Sequence, residues 1–320
     1  MTTKIEWTDE TWNPVTGCTK VSQGCHFCYA ERLWPKVEGS RVKREGGAQR
    51  AFTDVRCHPD RLDAPLRWRT PRRVFVNSMS DLFHEDVPDE FIAQVWRCMA
   101  WNQRHIFQIL TKRPQRMLEW VVEHGGNAVF AGEREEHENS LKQHGWPLRN
   151  VWLGVSVEDQ ATTDERIPLL LQTPAAIRFV SYEPALGPIN LGWYLGRFDP
   201  LQGPATPNLH WLIAGGESGP HARPSHPDWF RSVRDQCDGA GVAFFFKQWG
   251  EHLPGEFKKS DNMSIVWQDG RREWYGDHAD IKYSDSWLTN DADRLVISYR
   301  VGKKKAGRLL DGREHNEYPA

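Results

Sequence analysis

The sequence predicts an α/β fold made of βα repeats, either closed into a parallel barrel or laid out as an open doubly wound sheet. Three observations carry that prediction. Short apolar, β-branched runs recur along the chain, stretches of helical periodicity follow them, and polar residues gather where the runs end. Neither a solenoid repeat nor a low-complexity tract interrupts the alternation.

The runs occupy 74–77, 106–111, 151–157, 177–181, 211–215 and 242–247. Their near-continuous apolar character suits strands covered on both faces, as in a parallel sheet wrapped by helices. Segment 89–102 spaces its apolar residues three and four apart with Asp89 and Glu90 in the first turn. Segment 227–239 does the same, with Asp228 near its start and Gly239 as its stop. The strand ends read N-S-M-S-D at 77–81, T-K-R-P at 111–114, S-V-E-D at 156–159, S-Y-E-P at 181–184, G-G-E-S-G at 215–219 and K-Q-W-G at 247–250. Each alone reads equally well as a turn or a helix cap. Together they put polar groups on the face where βα barrels build their active sites. Segment 39–72, rich in Gly, Pro and Arg, reads as an insertion over that face or a mobile loop. From 254 onward the buried-strand pattern fades into a polar appendage with a strand-like 295–299 and exposed Lys303, Lys304 and Lys305. The expected organisation is a βα-repeat domain over 1–253 and an appendage over 254–320.

With 39% hydrophobic and 26% charged residues, the 320-residue chain has the composition of a soluble globular protein. No apolar run approaches the roughly 18–20 residues a membrane span needs, and the N-terminus lacks the apolar core of a signal peptide. A cytoplasmic setting is expected, where clustered cysteines bind metal more readily than they form disulfides. Net charge is only −2, so bulk charge announces no nucleic-acid partner. Locally, 40–73 holds ten basic residues against four acids, which is either a footprint for phosphates or a solvated surface excursion. The 16 tryptophans could stack on bases or fill the core.

Chemistry points to the cysteines. Cys18, Cys25 and Cys28 fall within eleven residues, whereas Cys57, Cys98 and Cys237 stand apart as buried small hydrophobes or spare thiols. Zinc would need a fourth ligand, for which His26, His58 and Cys57 are the nearby candidates. A four-iron four-sulfur (4Fe-4S) cluster takes one thiolate per iron, and three cysteines leave the fourth iron open to a small molecule carrying an amine and a carboxylate. Phe27, between the last two cysteines, either shields such a cluster or makes a local core contact. No Ser-His-Asp or Cys-His arrangement emerges from the spacing, and no catalytic residue is assigned.

The C-x-Φ-C ending at the start of a βα repeat resembles the cluster loop of the radical S-adenosylmethionine (radical SAM) superfamily. More closely, I-E-W-T-D-E-T-W-N-P-V-T-G-C-T-K at 5–20, G-C-H-F-C-Y-A-E, N-S-M-S-D-L-F-H at 77–84, L-T-K-R-P at 110–114, the S-V-E, S-x-E-P and G-G-E-S-G strand ends and the final G-R-L-L-D-G-R-E are similar to an uncharacterised phage- and plasmid-associated three-cysteine family. The resemblance spans nearly the whole chain. It implies a partial (β/α)6-type parallel barrel, TIM-barrel-like, whose cluster, held by Cys18, Cys25 and Cys28, binds S-adenosylmethionine and generates a 5'-deoxyadenosyl radical. Two features depart from the superfamily pattern: six residues instead of three separate the first two cysteines, and Gly215-Gly216-Glu217 follows a later strand than the usual G-G-E triplet. After the second strand the chain offers Asn77, Ser78, Ser80 and Asp81 to hold the methionyl amine. Lys112 or Lys247 would pair with the carboxylate, and Ser156, Glu158, Glu183 and Glu217 are candidates for ribose or substrate contacts. An electron donor is required, and a partner protein encoded nearby is a further expectation. The basic segment, the tryptophans and the phage association lean toward a nucleic-acid substrate, DNA or RNA, with a nucleotide next. The rival from another class is a non-enzymatic module stapled by zinc or by a closed iron–sulfur site.

Overall fold

The computed structural model describes residues 3–125, 145–196, 209–255, 263–275 and 295–319. Seven parallel strands form the main sheet: β1 (Glu10–Trp12), β4 (Arg73–Val76), β5 (Ile106–Thr111), β6 (Val151–Val157), β7 (Ile177–Tyr182), β8 (Trp211–Gly215) and β9 (Ala243–Gln248). They pair in that order, each new strand adding to the same side, and β1 does not pair with β9. The result is an α/β fold with a parallel half-barrel sheet. Six of its strands coincide with the apolar runs of the sequence. The seventh, β1, was not among them, because its three residues, Glu-Thr-Trp, include one apolar side chain.

The connections are helical where described: α1 (Tyr29–Glu45) before β4, α2 (Asp89–Trp101) before β5, α3 (Pro114–His124) before β6, α4 (Gln160–Gln172) before β7 and α5 (Pro227–Ala240) before β9. They cover the convex side, and an apolar layer that includes Val74, Val76, Ile109, Val155, Val180 and Leu212 lies between them and the sheet. The concave side has a second core. Trp7, Phe75, Trp152, Phe179, Trp211, Ile213 and Phe245 fill the half-barrel, with Gln108 at the level of Phe75 and Trp152 by register. Most of the tryptophans are thus accounted for by packing: Trp7, Trp12, Trp34, Trp96, Trp120, Trp152, Trp211, Trp229, Trp249 and Trp267 are buried, whereas Trp193 is 95% exposed.

Short strands β10 (His252–Pro254), β11 (Met263–Trp267), β12 (Arg272–Tyr275) and β13 (Leu295–Arg300) make a separate antiparallel sheet in the order β10-β13-β11-β12. The chain does not end there. Residues 307–319 return to the half-barrel: the Phe246 N–H donates to the His315 carbonyl at 3.0 Å, the Trp211 indole donates to the Glu317 carbonyl at 2.8 Å, and the Tyr318 ring lies 5.1 Å from that of Trp211. The Arg73 guanidinium, on β4, sits 4.1 Å from the Tyr318 ring. The last residues therefore cross from β9 to β4 at the amino-terminal end of the half-barrel, so the segment expected as one appendage divides between a small sheet and a strap belonging to the main body.

The basic insertion is held firmly to the fold. Its first residues continue α1, and β2 (Val15–Thr16) pairs with β3 (Arg56–Cys57). Most of its cations face carboxylates, several of them outside the segment: Arg41 and Arg50 meet Glu38, Arg67 meets Asp63, Arg72 meets Glu10 and Arg73 meets Asp9. Three carboxylates from outside the segment, Glu38, Glu10 and Asp9, thus offset half of the local excess of six cations, and Arg73 stands at the end of its strand opposite the cysteines. Lys303, Lys304 and Lys305 are exposed as expected.

Candidate active site

The three cysteines occupy the first βα connection, between β1 and α1. Cys25 closes a 3-10 turn (Gln23–Cys25) and Cys28 is the N-cap of α1. Gly17 opens the loop at φ 94°, where an added Cβ would lie 2.6 Å from the Asp54 carbonyl and 2.8 Å from that of Phe52; only glycine lets the loop press against the insertion this closely. The Cys18 N–H then donates to the Phe52 carbonyl at 2.9 Å.

The loop is tied to the carboxyl ends of four strands. After β4, the Met79 carbonyl accepts the Gly17 N–H at 3.1 Å and the Ser80 hydroxyl donates to the Val15 carbonyl at 2.8 Å. After β5, the Arg113 guanidinium donates to Cys18 Sγ at 3.6 Å, with its other arms on Thr19 Oγ1 at 2.8 Å, Asp81 at 3.3 Å and Glu85 at 3.0 Å. After β6, Glu158 accepts the Ser22 hydroxyl at 3.0 Å and abuts Gly24, whose missing Cβ would be 2.5 Å from that carboxylate. After β8, Arg223 donates to the Gln23 carbonyl at 3.0 Å. Arg113 escaped the sequence reading because it neighbours Lys112 in T-K-R-P and nothing in the spacing tells which of the two faces the loop.

All three thiols are half-buried. Cys25 lies close enough to the other two to raise the pKa of each. Burial pushes Cys18 up to about 12, with Asp81 adding to it and Arg113 opposing it; burial likewise raises Cys28, against the pull of the Glu31 and Ala30 N–H groups. Among the described residues, no group of three His, Cys, Asp or Glu side chains is close enough to hold a single metal ion. A zinc centre, with sulfurs about 2.3 Å from the metal, asks for that convergence; a four-iron cluster asks only that each thiolate reach a different iron. Three neighbouring half-buried thiols with an N–H···S donor at Cys18 form a donor set that suits a cluster. His58 is engaged elsewhere, its Nε2 lying 2.8 Å from the Thr16 hydroxyl.

Around the loop stands a crown of inward-facing polar residues. Strand side chains alternate, and carrying the concave series Phe75, Leu110, Gly154, Phe179, Ile213 and Phe245 one or two steps onward gives Asn77, Lys112, Ser156, Glu158, Ser181, Glu183, Gly215, Glu217 and Lys247. Two ion pairs span it. Lys112 bonds Glu158 and, at 2.7 Å, the Ser156 hydroxyl; Lys247 bonds both oxygens of Glu183 at 2.7 and 2.9 Å. Glu158 is fully buried and also meets Arg166 at 3.3 Å. Ser156 donates to the Glu183 carbonyl at 3.1 Å, linking the pairs.

The other candidates have more structural duties than the sequence suggested. Asp81 accepts from the Thr111 hydroxyl, the Phe83 and Lys112 N–H groups and Arg113, so its oxygens are saturated. Ser78 donates to Asn13 at 3.2 Å, and its carbonyl accepts the Tyr29 hydroxyl at 2.5 Å. Asn77, buried with φ 61°, accepts the Val15 N–H at 3.2 Å through Oδ1, while its Nδ2 is buried without a partner. That unpaired group is a donor, so it fits a carboxylate rather than the amine expected from the sequence. Gly216 backs onto the chain after β9: an added Cβ would lie 2.0 Å from the Trp249 carbonyl. Glu217 is engaged by Arg223 through 2.6 and 2.8 Å bonds. Gly215 is less confined: an added Cβ there would lie 3.3 Å from a Glu183 oxygen. Phe27 is 39% exposed, with the His26 and His221 rings 6.4 and 5.5 Å away and the Arg223 guanidinium 5.3 Å from its centre.

The model of a family described as "Protein of unknown function (DUF5131)" matches residues 2–319, and the chain belongs to that family. No curated protein matches the sequence. Among solved structures, a cysteine-to-serine mutant of spore photoproduct lyase is similar at 12% identity and a TM-score of 0.39, over 83% of this chain and 68% of that one. A double mutant of the lyase with bound AdoMet and dinucleoside spore photoproduct is similar at 12% identity and a TM-score of 0.38, over 92% and 69%. Among the described residues, no helix is long and apolar enough to cross a membrane.

Proposed function

We propose that this family member is a radical SAM enzyme whose 4Fe-4S cluster is held by Cys18, Cys25 and Cys28, acting on nucleic acid or a nucleotide. The supporting observation is the cysteine loop bonded to the carboxyl ends of β4, β5, β6 and β8, over a crown of paired charges at the mouth of a parallel half-barrel. When bound, the reduced cluster and S-adenosylmethionine supply a 5'-deoxyadenosyl radical able to take a hydrogen atom from substrate.

The chain's own residues do the positioning. Arg113 orients Cys18, Ser22 and Gly24 seat the loop on Glu158, and Arg223 holds Gln23 through an arm fixed by Glu217. The Asn77 amide and the Lys247 ammonium are the donors suited to a carboxylate, and Ser78 and Glu183 are acceptors suited to an amine. Lys112, Ser156 and Glu158 form the wall for a ribose or for substrate. The aromatic plug of the half-barrel closes the floor to water. For substrate, the rim carries Phe27 between two imidazoles with a guanidinium over it, which favours an aromatic, anionic molecule.

Anaerobic reconstitution with iron and sulfide tests the reading. The expected outcome is a coloured protein holding iron and sulfide in equal amounts, bleached by dithionite and releasing 5'-deoxyadenosine from S-adenosylmethionine, with both properties lost in C25S. Stoichiometric zinc in a colourless protein, or an intact cluster that yields no 5'-deoxyadenosine, would sink it.

A further inference from the structure

Exposed apolar side chains are concentrated on one part of the molecule. Of the ten large hydrophobic residues left exposed among the described residues, five (Val21, Phe27, Tyr29, Leu33 and Val37) lie between positions 21 and 37, on the cysteine loop and the helix that leaves it. Tyr29, Leu33 and Val37 recur every fourth residue and so form one ridge along α1, each 42–43% exposed. Ala30, Trp34 and Glu38 take the buried side. The same spacing puts Arg32, Lys36 and Lys43 beside the ridge. The acids of this helix are engaged: Glu31 pairs with Lys20 at 3.0 Å, and Glu38 with Arg41 and Glu45 with Arg44 at 2.7 Å each. Among the described residues, Arg32, Lys36 and Lys43 have no carboxylate partner.

An apolar ridge flanked by charges of one sign is a surface built for a protein partner of the opposite sign. We infer that this face of α1 docks an acidic one-electron carrier protein. The inference rests on the function proposed above and names the partner of that same site. Cys28 immediately precedes the helix, and by its rise Leu33 and Val37 lie about 8 and 14 Å along the axis from it, so a carrier seated on the ridge brings its redox centre alongside the cysteine loop. The reduced carrier gives up one electron and the cluster gains one, with no bond made or broken. Tyr29 is the one aromatic of the ridge and its hydroxyl is bound to the Ser78 carbonyl; Leu33 and Val37, further along, are aliphatic and offer no plane on which a strand's successive bases would stack.

Stopped-flow reduction of the reconstituted holoprotein tests the inference, with reduced flavodoxin as the acidic carrier and dithionite as the small-molecule control. In K36E/K43E and in L33E, the flavodoxin-driven rate is expected to fall at least tenfold, and in the charge-reversed variant its dependence on salt should flatten. Dithionite should reduce all forms equally. Flavodoxin rates within twofold of wild type in both variants, or a wild-type cluster that flavodoxin cannot reduce, would overturn the inference. Loss of affinity for a DNA oligonucleotide in these variants at unchanged flavodoxin rates would overturn it too, giving the face to nucleic acid. A protein that assembles no cluster removes both this inference and the proposed function, and iron content identifies that case before any kinetics.

Discussion

Gly216 and Gly39 show how differently two glycines of one chain answer to substitution. A Cβ at Gly216 would lie 2.0 Å from a backbone carbonyl that cannot yield, whereas at Gly39, inside α1, the nearest atom is the flexible end of Gln49 at 3.5 Å. G216A should therefore destabilise by about 3 kcal/mol through overpacking, and G39A should stabilise by about 0.5–1 kcal/mol through helix propensity; denaturant titration of both reads the difference. At Arg113 the planar fork matters as much as the charge, since four groups share it. R113K keeps the cation and loses that geometry, so iron retained per chain after reconstitution should fall while thermal stability changes little. Asn77 was legible in the sequence as a polar strand end, but which of its amide atoms remained free was decided by the Val15 N–H, 62 positions away.

Among the elements, α4 begins with a capping box that the sequence already spells: Asp159 accepts the Thr162 N–H at 2.9 Å while the Thr162 hydroxyl accepts the Asp159 N–H at 3.1 Å. The fourth residue of S-V-E-D is thus a helix cap, and its neighbour Glu158 is the functional candidate, also held by the Thr162 hydroxyl at 2.9 Å. D159A should cost about 1 kcal/mol, seen as a lower denaturation midpoint. The C-terminal strap makes a second element-scale prediction. Tyr318 lies among Trp211, Phe245 and Arg73, and Y318A should lose about 2 kcal/mol by leaving the aromatic floor partly uncovered, measured by thermal unfolding. Sequence periodicity located α2 and α5 to within a residue or two because each buries one clean face. It gave no such warning of the strap, whose contacts are carbonyl and N–H groups that any residue supplies.

For the whole molecule, acid sensitivity follows from its buried imidazoles. Burial lowers the pKa of His58, His84, His105, His226, His252 and His315, that of His58 from 6.5 to about 4. Below pH 6.5 the unfolded chain binds protons that the folded chain refuses, so stability present above that pH is lost as pH falls toward the folded values. His58 alone accounts for a loss on the order of 3 kcal/mol between pH 6.5 and 4. Glu38, held at about 2 by its hydrogen bond from Arg41, extends the decline in the same direction to lower pH. Unfolding free energies should drop steadily from pH 7 to 4, with a shallower slope in H58Q; a flat profile would contradict the burial of these rings.

The sequence by itself determined the repeating βα pattern, six of the seven parallel strands and the trio of cysteines in the first connection, because hydrophobic periodicity and close spacing are local properties of a chain. Tertiary structure decided what those parts meet. It set Glu10 and Asp9 against Arg72 and Arg73 of the basic segment, gave Gly216 and Asp159 structural duties, brought Arg113 to Cys18 and Arg223 to Gln23, and led the last residues back beneath the half-barrel. Such pairings depend on where strands end in space, and linear spacing carries no record of it.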